Sequence, residues 1–439
     1  MRKTITILLN IFIIILVFLG YTGYSRIKTI VKEVKYDIKE DKIYATINIK
    51  GYNKNTYCIY NDQKVKIKNN KCSFEVPNEK SKITIINKYN TKEEYLLPSI
   101  TKVLNFELDE YKTYLHINER KTVIVSVTSL GSPMVNTLLT SSDENVVKTE
   151  NNQLIGVGNG RATVTVSIGE LKRQIEVIVT NLITLPVWQG QNKSLLPCNI
   201  YSDDDARLLD EFLDYEIKKV GENTRMAAVV AARFLTLELP YRVPYFYENG
   251  RVSNTGVHFV DGEGRYYKKG MYLGEYKKND IIATWKGPAI WGCPLMNLED
   301  DKLNGYYPGT LKPNGLDCSG FISWAIRQGG FDPGDNGAGE NPENPYQMTD
   351  LGHYTKLTRE LVYSGTIKVG DLFNYWGHIA MLVGIHDGKY YIAESLMGPR
   401  FDGATVKEYT FDNVTNTFGY VVLMDDYYKE DGKYSEYWE

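Results

Sequence analysis

Asp317-Cys318-Ser319-Gly320-Phe321 decides how the C-terminal part of this chain is read, because it puts a thiol where a fold can make it a nucleophile. After it, Phe321, Ile322, Ala325 and Ile326 recur at helical spacing as far as Gly329-Gly330, and Asn314-Gly315 before it reads as a turn. Cys318 is thus expected at a helix N-terminus, where the aligned peptide dipoles and N–H groups favour an anion, so its thiolate forms at lower pH than that of a free cysteine. A nucleophilic thiolate still needs a histidine to hold and shuttle its proton.

The candidates are His116, His258, His353, His378 and His386. Gly370-Asp371-Leu372 reads as a turn into an apolar strand, and Gly377-His378-Ile379-Ala380-Met381-Leu382-Val383-Gly384 follows it. A histidine opening a buried strand, with a glycine before it for close approach, suits a base that must reach a thiol on a helix end. Taken singly, each residue reads better as core, a small buried cysteine and a satisfied strand histidine. The two motifs together favour chemistry.

The segment from about Leu311 to Leu423 resembles the NlpC-type cell-wall endopeptidases, papain-like cysteine hydrolases that cut peptidoglycan stem peptides. Asp-Cys-Ser-Gly-Phe matches their nucleophile motif, and Gly-Asp-Leu followed by Gly-His-Ile-Ala-Met-Leu-Val-Gly matches their general-base motif in order and spacing. The resemblance implies hydrolysis of an amide next to a D-configured residue, with Cys318 and His378 catalytic and Asp317 and Ser319 contacting substrate. It also implies an active-site tyrosine from a Pro-Tyr segment. Tyr241 and Tyr245, in Pro240-Tyr241-Arg242-Val243-Pro244-Tyr245, compete for that part with Pro288-Ala289-Ile290-Trp291-Gly292, which has Ala289 where the tyrosine belongs but offers Trp291. No zinc-ligand spacing appears, and neither metal nor cofactor is expected.

A third catalytic group should accept a hydrogen bond from the second ring nitrogen of His378 and fix its tautomer. It is expected from the next strand, Lys389 to Ser395, where side-chain period two makes the turn decisive. A two-residue Asp387-Gly388 turn would set Ala393 or Ser395 on the face of His378, and a three-residue His386-Asp387-Gly388 loop would bring Glu394 there. Glu394 is chosen, because a carboxylate stabilises imidazolium.

Ahead of this lie three further units. Residues 1–24 begin with Arg2-Lys3 and run apolar from Ile5 to Leu19, which directs the rest of the chain across a membrane. An uncleaved single-pass anchor is favoured over a cleaved signal peptide, because Tyr21 and Tyr24 flank the small residues. Residues 25–100 read as a small β-sandwich: Ile43, Ala45, Ile47 and Ile49 alternate, and Cys58 with Cys72 is expected to oxidise once exported. Residues 101–180 carry alternations at Val123, Val125 and Val127, at Ala162, Val164 and Val166, and at Ile175, Val177 and Val179. The stretch TSSDENVVKTENNQLIGVGNGRATVTV within them resembles the bacterial Ig-like domain of group two, with Leu139 in place of a usual tryptophan. Its Gly156, Gly158 and Gly160 precede a strand and so form no phosphate loop.

Residues 181–439, with the motif core at 311–423, complete a multidomain reading: a transmembrane helix, two all-β sandwiches and an α+β papain-like cysteine peptidase. Asp203 to Lys219 and Thr224 to Leu237 are expected as helices, the second buried. Of five cysteines, Cys198 with Cys293 forms a second expected pair and leaves Cys318 free. The acidic stretch Phe331 to His353 reads as a solvated loop, and Asp425 to Glu439 as a loose tail. With a net charge of −3 and no long basic run, nothing favours a nucleic-acid partner. The expected partners are peptidoglycan and, through the N-terminal helix, the membrane. Two other readings remain open: another papain-like amidase or transglutaminase-like enzyme, and a wall-binding scaffold or adhesin with an inactive peptidase fold.

Overall fold

The computed structural model describes residues 13–17, 30–39, 42–50, 56–77, 79–86, 92–184, 193–246, 270–278, 285–298, 307–334, 336–338, 347–398 and 402–434. Most of the expected membrane segment lies outside them. Among the described residues no helix is long and apolar enough to cross a membrane.

Alternation builds the first sandwich. Ile43, Ala45, Ile47 and Ile49 are buried while their neighbours face outward, and the strand that carries them, Lys42–Lys50, pairs with Ile30–Lys39 and Lys71–Val76. The opposing sheet runs in the order Gln63–Lys66, Tyr57–Tyr60, Ser81–Ile86, Lys92–Leu97. Cys58 belongs to this sheet and Cys72 to the other, so their disulfide staples the two layers through the core. Replacing both by alanine should lower the stability of this sandwich by about 3 kcal/mol, the entropy of closing a loop this short. Denaturant unfolding of the full chain checks it, and free thiols at both positions in a non-reduced digest would refute the pairing.

The second sandwich places Thr137–Ser141, Gly160–Ile168, Leu171–Thr180 and Lys112–His116 in one sheet, the last pair parallel. Ala162, Val164 and Val166 meet Ile175, Val177 and Val179 in its core, with Leu139 packed at the edge. The glycine run answers to packing. A Cβ at Gly156 would lie 2.3 Å from the carbonyl oxygen of His116.

The C-terminal domain is α+β. Helix α1 (Asp203–Val220) starts where Ser202 Oγ accepts from Asp205 N, with three aspartates in its first turn and Lys218-Lys219 in its last. Helix α2 (Arg225–Arg233) continues into a π turn at Phe234–Glu238, and α3 (Cys318–Gln328) carries the thiol. A six-stranded antiparallel sheet follows: β1 (His353–Lys356), β2 (Leu372–Tyr375), β3 (His378–His386), β4 (Lys389–Leu396), β5 (Gly403–Thr410) and β6 (Tyr420–Leu423), in the order β1-β6-β2-β3-β4-β5. Ile379, Met381 and Val383 turn one face to the helices, while Ala380 and Leu382 pack with Phe373, Ile392 and Phe418 on the other. The second disulfide, Cys198 to Cys293, ties the segment before α1 to the bend that leads into the strand Pro294–Asn297.

Helix α1 also packs on the second sandwich. Phe212 and Tyr215 hold the ring of Tyr114 at 4.8 and 4.9 Å, and Tyr215 Oη donates to Glu110 at 2.8 Å.

Two expectations are corrected here. The described part of the stretch from Asp425, as far as Tyr434, is docked, with Tyr428 buried and Asp425 and Asp431 paired to Arg225, which is itself 0% exposed at the start of α2. The segment Phe331 to His353 is anchored at its described parts: Asn336, Gln347 and Met348 are buried, and Asp332 pairs with Arg327. In both, apolar and hydrogen-bonding anchors override an acidic composition.

Candidate active site

The thiol's position starts with its helix cap. Asp317 Oδ1 accepts from Gly320 N at 2.6 Å and from Ser319 Oγ at 3.3 Å, which starts α3 at Cys318. The residues just before are clamped from two sides. Leu316 N donates to Pro244 O at 2.9 Å, and Ser395 Oγ, on β4, donates to Leu316 O at 2.6 Å. A side chain at Gly315 is excluded, since its Cβ would lie 1.9 Å from Pro244 O. Cys318 is buried and outside both disulfides.

His378 opens β3 after a tight hairpin in which Tyr375 pairs with His378 and Gly377 takes φ 72°. Gly377 O lies 4.0 Å from Cys318 Sγ, so the thiol sits against the residue next to the histidine. His378 is held through its ring on two sides and through its backbone on a third. Tyr375 packs on it with centroids 4.7 Å apart, Asn374 Nδ2 donates to the His378 carbonyl at 3.0 Å, and Nε2 is 2.8 Å from Glu394 Oε2. With Nε2–H donating to the carboxylate, Nδ1 is the nitrogen left for the thiol.

Glu394 is only 1% exposed, and its other oxygen is held as well: Tyr409 Oη donates to Oε1 at 3.4 Å and Lys407 Nζ lies 3.2 Å away. Burial first and the Glu394 charge next push the phenols of Tyr409 and Tyr375 upward, so both stay protonated, Tyr409 as a donor. Lys407 compensates the buried carboxylate's charge. The sequence reading missed Lys407, Tyr409, Tyr375 and Asn374. Counting parity along β5 finds two of them, since Thr405 pairs with Glu394 and Lys407 and Tyr409 follow on the same face.

Glu394 was expected from a three-residue loop, and that reason is corrected. His386 pairs with Lys389 across a two-residue turn, with Asp387 at φ 48° and Gly388 at φ 70°. The register then shifts by one between Leu382 and Gly384, leaving Val383 as a bulge. The bulge restores Glu394 to the face of His378, and Ser395 turns to the clamp on Leu316 instead.

Three expected substrate contacts are buried around α3. Trp291 is 0% exposed and packs edge-on against Trp324 of α3. Asp317 and Ser319 are buried in the helix cap. Of the tyrosines, Tyr241 is half-buried against Tyr201, whereas half-buried Tyr245 directly follows the Pro244 that clamps Leu316. Elsewhere, His116 pairs with Glu119 in the second sandwich, His386 with Asp387 on the surface, and His353 is exposed; His258 lies outside the described residues.

No family model matches the chain, and none of the curated proteins matches it. Solved structures that match include domains 4 and 5 of the S-layer protein SbsC, at 14% identity over 23% of this chain and 66% of that one, with a TM-score of 0.18. The longer rSbsC(31-844) matches at 12% identity over 37% of this chain and 28% of its own length, with a TM-score of 0.20. Clostridium thermocellum CbhA fibronectin(III)-like modules match at 10% identity over 34% and 94%, with a TM-score of 0.19. TM-scores this low say nothing of activity or partners.

Proposed function

We propose that the C-terminal domain is a papain-like cysteine amidase that hydrolyses peptidoglycan stem peptides, at the bond between D-glutamate and the diamino acid. The observation that carries this reading is the buried 2.8 Å pair of His378 Nε2 with Glu394, one residue from the carbonyl that touches Cys318 Sγ. In the proposed reaction Cys318 Sγ attacks the scissile carbonyl while His378 Nδ1 takes the thiol proton and delivers it to the leaving amine. The thioester left on Cys318 is cleaved by water, which His378 deprotonates in turn. Glu394 stabilises the imidazolium at each stage. Two disulfides and the basic-then-apolar N-terminus support an exported, membrane-held enzyme.

Incubating the full chain with purified peptidoglycan and analysing the products by mass spectrometry tests the reading. New free amines on stem peptides are expected. Sedimentation with intact walls and no cleavage would favour a scaffold, and amine transfer without hydrolysis a transglutaminase-like enzyme.

Glu394→Gln should cost about 10-fold in kcat, because an amide oxygen still accepts from Nε2–H but carries no charge, and Glu394→Ala about 100-fold. Steady-state kinetics on a stem-peptide substrate measures both. Full activity in Glu394→Ala would remove this residue from the mechanism.

A further inference from the structure

Arg233 ends an α2 sequence, Arg-Met-Ala-Ala-Val-Val-Ala-Ala-Arg, whose interior is wholly apolar. Its side chain is buried, and burial pulls the guanidinium down to about 9, so it is still charged at neutral pH. A buried cation costs several kcal/mol unless it meets a partner, and packing alone would be served by leucine or methionine. Arg233 Nε donates to Val383 O at 2.8 Å. Val383 is the residue that the bulge turns out of the ladder between Leu382↔Ile392 and Gly384↔Tyr391.

That bulge selects the face of β4 that His378 sees. Across the two-residue turn, an unbroken ladder would set His378 on the face of Ala393 and Ser395, and the extra residue brings Glu394 there. We propose that Arg233 is a positioning residue, which by holding the Val383 carbonyl pins the bulged register that aims Glu394 at His378. This rests on the Cys-His-Glu reading above. It adds a residue from another element of the fold that never touches the reacting groups.

The test exploits the geometry of the bulge. Deleting Val383 removes the extra residue and leaves both flanking pairings and their faces intact, so no bulge needs holding. Arg233→Met in the full chain is expected to lose about 100-fold in kcat, as Glu394→Ala does, and to lose the downfield Nε2–H resonance of His378 in a histidine-labelled sample. Combining it with Glu394→Ala should cost no more than either change alone. Arg233→Met with Val383 deleted should recover both the resonance and most of the rate. The proposal is overturned if Arg233→Met keeps the resonance, if its loss multiplies with that of Glu394→Ala, or if the Val383 deletion restores nothing. Should Arg233→Met fail to fold, the deletion background decides: a folded double variant with the resonance supports the proposal, and an unfolded one shows that Arg233 serves folding and not the bulge. If the wild-type chain cleaves no peptidoglycan, the reaction reading fails, while the resonance still tests the register.

Discussion

Cys318→Ala is expected to lower stem-peptide hydrolysis by about 10⁴-fold or more, and Cys318→Ser by a similar factor, with the folded structure kept. Both follow from position. The side chain lies at the first residue of α3, its cap is supplied by Asp317, and the clamps on Leu316 come from Pro244 and Ser395, so none of the contacts that set the helix uses the sulfur. Removing one atom from this site should move stability by only about 1 kcal/mol. Product formation by mass spectrometry and thermal unfolding, measured on the same preparation, separate the two effects. Activity retained in Cys318→Ala would end the nucleophile assignment.

Arg225→Met is expected to give the largest loss of stability, about 3–5 kcal/mol, because it leaves a buried carboxylate without its cation. Arg225 Nη1 donates to Asp371 Oδ1 at 2.8 Å, Nε to Asp431 Oδ1 at 2.9 Å, and Nη2 to Asp425. Asp371, 2% exposed, further accepts from Lys368 N and Met424 N, so this one cluster ties α2, the turn before β2 and the docked C-terminal segment. Burial already pushes the Asp371 carboxyl upward against the pull of its partners. Removing the guanidinium raises it further. A carboxyl whose folded pKa lies above its unfolded value binds more protons in the folded state, so its contribution to stability grows as pH falls and is lost as pH rises through the folded pKa. The deficit of Arg225→Met relative to wild type should therefore be largest at neutral pH and shrink toward acid, in denaturant unfolding at a series of pH values. A pH-independent deficit would mean that Asp371 is not the group left stranded.

Much of the scaffold could be read from alternation and capping. Ile43 to Ile49 and Ala162 to Val166 pack inward as their period requires, and Asp317 caps the helix that opens on Cys318. Glu394 was reached through the wrong turn. A bulge has no local sequence signature here, since Val383 is an ordinary strand residue, and its marker is an arginine far away in the chain. Arg225 and Arg233, two charges bounding an apolar helix, were the signal that went unused: a cation in a buried segment asks for a partner. Trp291 matched a motif in sequence and proved to be core, because a motif's letters do not fix which side of α3 they pack on. The docking of Asp425 to Tyr434 was hidden by their acids, whose partner Arg225 lies some two hundred positions upstream.

The contact of α1 with Tyr114 bears on how this protein can be dissected and recombined. Tyr114, Ile178 and Ile183 belong to the same buried cluster as Phe212, Leu213 and the helices behind Cys318, so the boundary near residue 180 is a seam in the chain and not in the core. Cut there, the C-terminal piece would present Phe212 and Tyr215 to water and the sandwich would present Tyr114. The transplantable unit therefore begins near residue 101, and a swap of the C-terminal domain between proteins would have to carry this second sandwich along with it.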